Sequence, residues 1–167
     1  MFEINDIVLY SGTEVCRVQE KREMPFLGGE RILYYVLRPV YEDSPSNSTV
    51  FVPVDADESR IHRMFSAAEL RDMLADDSRR VPWIDSALIR KKEYTDLLNR
   101  GNPAELIGLI RTLNNHRAAK LRIGQKFSDA DEKYLTIAEK KLYPLFKYIL
   151  NVDWEDFLPL ITGRKTA

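Results

Sequence analysis

The 167-residue sequence contains a single cysteine, Cys16. One thiol excludes an intrachain disulfide framework and any zinc cluster built on several cysteines. Cys16 alternates with Val18 and reads as a small buried hydrophobe. Histidine is nearly as scarce. His62 and His116 lie far apart and neither has metal-ligand spacing, so both read as structural or surface residues. Glycine is sparse, with 7 residues, and Gly28-Gly29 lacks the following lysine and strand-to-helix setting of a phosphate loop. No Ser/His/Asp arrangement can be picked out. Asp76-Asp77 and the pair Asp153 and Asp156 read as linker and cap residues rather than acid/base pairs. The expectation is a protein with no cofactor, no metal and no catalytic residue, and not an enzyme. No apolar run approaches membrane-spanning length. The N-terminus has no basic region or long apolar run of a signal peptide. A cytoplasmic protein with no membrane partner and no small-molecule substrate is expected.

What the sequence does contain is asymmetric. Its hydrophobic content of 44% is ordinary for a soluble globular chain. The net charge of −1 conceals a change of sign along the chain. Residues 1–82 carry 10 Lys/Arg against 15 Asp/Glu, whereas residues 83–167 carry 15 against 11. The window 87–147 is the most basic, with 13 Lys/Arg against 7 Asp/Glu. That excess suits an anionic partner for the second half, or equally a solvated helical surface.

The local pattern changes in parallel. Residues 6–10 form a short β-rich run that Ser11-Gly12-Thr13 ends. Residues 14–23 alternate weakly. Pro25 and Gly28-Gly29 mark a hairpin loop. Residues 31–38 are the strongest strand, dense in β-branched and aromatic side chains. A polar loop from Glu42 to Ser48 contains Pro45, and residues 49–54 form another strand. Pro53 places that strand at an edge or strand end. Four or five short strands in about 55 residues suggest a small, strongly bent sheet or barrel.

From residue 58 the period becomes helical. Ser66-Ala-Ala-Glu69 is a capping box that opens a helix through about Ala75. Asp76 to Arg80 reads as a polar linker. Residues 84–99 are predicted helical and Gly101 ends them. Asn102-Pro103 starts the next helix with a cap and a first-position proline. Ser128 caps a long helix whose core face is Tyr134, Leu135, Ala138, Leu142, Leu145, Phe146 and Ile149. Pro144 is expected to kink or divide it. A last amphipathic segment holds Trp154, Phe157, Leu158 and Ile161. The predicted class is α+β, with a β domain over 1–60 and a helical domain over 61–167.

Trp83 follows Pro82 where the two regimes meet. A tryptophan there either packs as a pin in the helical core or projects as a probe. Arg90-Lys91-Lys92 lies about two helical turns beyond it. Such side chains can pair with phosphates through charge and counterion release. They position a protein on a duplex without reading bases. A neighbouring aromatic can wedge into a minor groove or against an unstacked base.

Taken in order, these features resemble the CarD/CdnL family of bacterial transcription regulators. The resemblance covers roughly residues 2–150. It rests on Asn5-Asp6-Ile7-Val8-Leu9-Tyr10, Tyr34-Tyr35-Val36-Leu37 and Val50-Phe51-Val52-Pro53-Val54. Pro82-Trp83, Arg90, Gly101-Asn102, Ile110-Arg111-Thr112-Leu113 and the Ser128 cap with Lys133 and Leu135 continue it. Each element is weak alone, but their order is moderately specific. The resemblance implies a small Tudor-like (SH3-like) barrel followed by an α-helical domain. It implies RNA polymerase β-subunit binding through the barrel by strand addition, here with Arg22, Met24 and Phe51 on the polymerase side. It also implies promoter DNA contact through Trp83, Arg90, Lys91 and Lys92, with Trp83 as a minor-groove wedge that stabilises the open complex. Ser11, Thr13, Glu14 and Cys16 depart from the family's first turn, which usually has a proline, a histidine and glycines. The stretch between Trp83 and Gly101 is about four residues longer than in many members, which moves the basic residues by ~5 Å along a helix axis.

Two other readings remain open from the residues. One is a protein–protein adaptor with no DNA contact, favoured by a buried Trp83 and an exposed apolar stripe on the final helices. The other is an unrecognised enzyme, favoured by His62 or His116 in a deep pocket beside a carboxylate.

Overall fold

The computed structural model describes residues 1–44, 48–58, 60–78 and 80–163. Pro45 of the polar loop, Arg79 of the linker and the final four residues of the tail lie outside them. The chain divides into two compact units, Met1–Met64 and Phe65–Ala167. The fold is α+β: a five-stranded antiparallel sheet followed in sequence by five helices.

The strands are β1 (Ile7–Tyr10), β2 (Glu14–Pro25), β3 (Arg31–Pro39), β4 (Val50–Pro53) and β5 (Ile61–Arg63), in the order β4-β3-β2-β1-β5. The sheet is open, with β4 at one edge and β5 at the other. β5 lies beyond the expected domain boundary at residue 60. Its three residues carry no readable alternation, and pairing with β1 is what makes them a strand. The weak alternation in β2 also has a local cause. The β2–β3 register shifts between Val18 and Glu20, so Gln19 is the extra residue of a bulge. The hairpin between these strands turns through Gly28 and Gly29 at φ of +92° and +83°. That left-handed backbone is open to glycine at no steric cost.

Cross-strand partners in register point to one face. Val8 pairs with Cys16, Val18 with Leu37, and Tyr35 with Val52. Together with Ile61 these side chains form the buried core of the β unit. Phe2 packs on Tyr35 edge to face, and its backbone N–H donates to the Tyr35 hydroxyl at 2.9 Å.

The helical unit contains α1 (Ala67–Ala75), α2 (Ala87–Arg100), α3 (Pro103–Arg122), α4 (Asp129–Leu150) and α5 (Trp154–Thr162). Its start signals work as the sequence indicates. Ser66 and Glu69 complete a reciprocal capping box on α1, and Asn102 and Ser128 accept first-turn amides of α3 and α4. Gly101 closes α2 in the left-handed conformation. Leu106, Ile107, Leu109, Ile110 and Leu113 of α3 meet Leu135, Ala138, Leu142, Leu145 and Phe146 of α4 in the core. Full burial contributes roughly 1.5–3 kcal/mol for each large side chain among them.

One expectation is narrowed and one is corrected. α4 runs as one helix with Pro144 inside it, so the proline does not divide it. Proline forfeits one ladder hydrogen bond, while the buried Leu142, Leu145 and Phe146 keep this part of α4 packed. Helix α2 begins at Ala87, not at residue 84. Ile84 and Asp85 stay outside the helix, where their carbonyls accept from a side chain of α2, described next.

Candidate functional site

Residues 81–86 form no regular element, yet their backbone is pinned to the helices. The Thr112 hydroxyl donates to the Val81 carbonyl. The Tyr94 hydroxyl donates to the Pro82 carbonyl at 2.8 Å. Arg90 Nη1 donates to the carbonyls of Ile84, at 2.7 Å, and Asp85, at 3.2 Å. Ser86 then accepts the Ile89 amide and starts α2. A short strap carrying Trp83 is thereby tied to α2 and α3. Burial raises the Tyr94 phenol above its usual value, so it stays a neutral donor.

The Trp83 ring is half-buried. Its indole stacks on the His116 imidazole with centroids 3.4 Å apart and planes 13° from parallel. The Arg90 guanidinium lies 4.4 Å from the indole centroid. An imidazole stacked that closely leaves no room for a guanidinium on the same side, so the two groups take opposite faces. Such contacts contribute about 0.5–2 kcal/mol each.

Arg90 is in turn held by α4. Its Nε donates to Asp131 Oδ1 at 2.8 Å and its Nη2 to Asp131 Oδ2 at 3.3 Å. The two side chains are only 11% and 3% exposed. Ser128, the cap of α4, also donates to Asp131 Oδ2, at 2.7 Å. This two-pronged arginine–carboxylate geometry is the strong form of the interaction. Arg90 therefore spends its donors inside the protein, whereas Lys91 and Lys92 are exposed and form no ion pair among the described residues. The run Arg90-Lys91-Lys92, uniform in sequence, splits into one buried anchor and two free cations.

His116 faces the same place. Its imidazole titrates below its usual value, first because burial penalises the charged form and then because Lys120 and Arg90 repel it. Its Nε2 is buried without a hydrogen-bond partner. No carboxylate is hydrogen-bonded to it among the described residues.

A cleft of 1070 Å³ opens beside the strap, between α1 and α3. Met73 and Ile107 line it together with Glu69, Asp72, Asp76 and Asp77. Of its two arginines, Arg80 pairs with Asp77 at 2.8 Å. The other, Arg111, donates to the carbonyls of Leu74, at 2.6 Å, and Ile161, at 2.8 Å. The cleft thus carries four carboxylates against two arginines, a net negative lining. Trp83 and His116 stand on its wall. Among the described residues no group of His, Cys, Asp and Glu is placed to hold a metal ion. No helix among the described residues is long and apolar enough to cross a membrane.

In the β unit the register assembles a second surface. Glu20, Val36 and Phe51 form one cross-strand row, Arg22, Tyr34 and Pro53 the next, and Met24 and Ile32 a third. Arg22, Met24 and Phe51 therefore share one face, at the end of the sheet where β4 is the open edge. Arg22 lies 6.0 Å from the Phe51 ring centroid and also pairs with Glu20. Phe51 is 38% exposed, enough to offer an apolar contact beside a cation.

The sequence-predicted residues thus fall into two sets in separate units. Sequence reading missed Tyr94, Thr112, Asp131 and His116 as the groups that hold the strap. Asp131 carried a weak signal, as the fourth residue of the Ser128 cap segment. The chain matches no family model, and no curated protein matches it.

Proposed function

We propose that this protein is a non-enzymatic transcription regulator of the CarD/CdnL type. Its β unit docks on the RNA polymerase β subunit and its helical unit touches promoter DNA, stabilising the open complex. In this reading the five-stranded open sheet is a Tudor-like module. The observation that carries the proposal is the meeting of Arg22, Met24 and Phe51 on one face beside the open edge of β4. A strand edge with no partner strand among the described residues, next to an apolar and a cationic side chain, fits strand addition, in which backbone hydrogen bonds give affinity and flanking side chains give selectivity. The exposed Lys91 and Lys92 supply positive charge for DNA. Trp83 and Arg90 serve this function indirectly, by fixing the strap from which α2 starts. The regulator acts by binding the open promoter more tightly than the closed one, and a preference of about 1.4 kcal/mol shifts that balance tenfold.

The test is retention of RNA polymerase by the full chain, with Phe51→Ala and Arg22→Glu as variants. Retention of the β subunit by the native chain, reduced in both variants, is expected. A native chain that retains no polymerase would end this reading.

A protein–protein adaptor without DNA contact is the second reading. It is favoured by the internal commitments of Trp83 and Arg90. It is favoured too by exposed Tyr148, Trp154 and Leu160 on the last two helices. Salt-dependent binding of duplex DNA by the full chain would separate the two readings.

A further inference from the structure

The first turns of α2 present an unusual surface. Leu88 is 80% exposed and Ile89 is 54% exposed. Residues three and four apart are neighbours on a helix, so Leu88, Lys91 and Lys92 form one face, with all three side chains in solvent. No acidic residue occupies the first turn of α2, and a helix N-terminus adds a partial positive charge. The surface continues onto α3. Lys120 stands close enough to His116 to depress its titration. His116 stacks on Trp83, and Trp83 carries Arg90 of α2, so the end of α3 reaches the same end of the unit. There Leu121 and Ile123 are also exposed. The nearest acidic side chains in sequence, Asp85 and Glu93, are the counter-charges such a surface must outweigh.

We propose that this apolar and basic tip of α2, not Trp83, is the surface that enters duplex DNA. Leu88 and Ile89 insert as the apolar wedge, and Lys91, Lys92 and Lys120 hold the flanking phosphates. The inference rests on the reading of the helical unit as a promoter-contacting domain. Two features of the fold select this surface. Both faces of the Trp83 ring are already occupied, so the ring has no free face to stack on a base. Trp83 also borders the cleft, whose four carboxylates outnumber its two arginines. Leucine and isoleucine are among the side chains that wedge between base steps in a minor groove when cations flank them. The lysines give the tip its complementarity to phosphate, and their contacts make binding fall with salt.

The experiment uses the full chain and an A·T-rich duplex carrying 2-aminopurine, whose fluorescence rises when a base unstacks. The native chain is expected to bind at low salt and to raise the signal. The Leu88→Ala/Ile89→Ala double variant should bind about tenfold more weakly and lose the signal. Each of Lys91→Gln and Lys92→Gln should lower the salt slope by about one. Circular dichroism of the double variant, altered only at solvent-facing positions, checks that α2 is intact. If the native chain fails to bind duplex at low salt, the DNA reading of the helical unit fails and this inference with it. If the native chain unstacks the base and the double variant does so equally, the inference alone fails. A signal lost in Trp83→Phe but kept in the double variant would return the wedge to Trp83. Preference for vesicles of phosphatidylserine over duplex would also overturn it.

Discussion

Asp131→Ala isolates the ion pair that separates Arg90 from the two lysines beside it. The substitution removes both carboxylate oxygens from a guanidinium that is 11% exposed, and it removes the acceptor of the Ser128 hydroxyl. Arg90 keeps its bonds to the Ile84 and Asp85 carbonyls, so it remains held in place with an uncompensated charge. Removing one member of a buried pair costs about 3–5 kcal/mol. Arg117 and Glu132 provide an internal comparison at 3.1 Å, with side chains 31% and 49% exposed. Glu132→Ala should cost below about 1 kcal/mol, because water screens that pair. Urea unfolding followed by circular dichroism at helical wavelengths reports the helical unit, since the other unit is β. An Arg90→Met/Asp131→Leu double variant should recover much of the loss, because it removes both charges together. If Asp131→Ala costs no more than Glu132→Ala, the pair is not desolvated and Arg90 is free to contact a partner.

Three further outcomes are expected. Trp83→Ala, which takes away the ring between His116 and Arg90, should lower the stability of the helical unit by about 2 kcal/mol; unchanged stability would make the ring a contact residue and not a pin. The depressed titration of His116 means that the unfolded chain takes up a proton before the folded one does. Stability from this group is therefore complete above the usual imidazole value and falls as pH drops towards the folded value. His116→Phe, which retains a ring against Trp83, should flatten that loss, and an unaltered pH dependence in the variant would refute the assignment. Cys16 is fully buried and its thiol is pushed up to about 12 by burial and then by Glu14. It should resist thiol reagents until the β unit unfolds, and rapid labelling of the folded protein would contradict this.

The elements with local signals were legible in advance. The Ser66–Glu69 capping box, the Asn102-Pro103 start, Gly101 and the Ser128 cap act within four residues of chain, so sequence spacing suffices to place them. The core stripe of α4 was readable for the same reason, although Tyr134 and Ile149 are half-buried rather than buried. β5 was not legible. Three residues are too few to show a period, and its strand character comes from pairing with β1 more than fifty residues earlier. The sequence pattern starts α2 at residue 84, whereas Ser86 caps the helix and Ala87 opens it. The carbonyls of Ile84 and Asp85, which lie before the helix, accept from Arg90.

Sequence by itself determined that two kinds of structure follow one another, where α1, α3 and α4 start, and which half carries the positive charge. Those properties depend on side-chain period and on neighbours a few bonds away. Tertiary structure alone decided which positive charges are available. Arg90, Lys91 and Lys92 are adjacent and chemically alike, but Arg90 meets Asp131 across 41 positions of chain and leaves water. The same packing turned Trp83 inward between His116 and Arg90 while Leu88, the second residue of α2, was left in solvent. Burial and pairing are set by groups far apart in sequence, so only the folded chain fixes which of these residues can reach a partner.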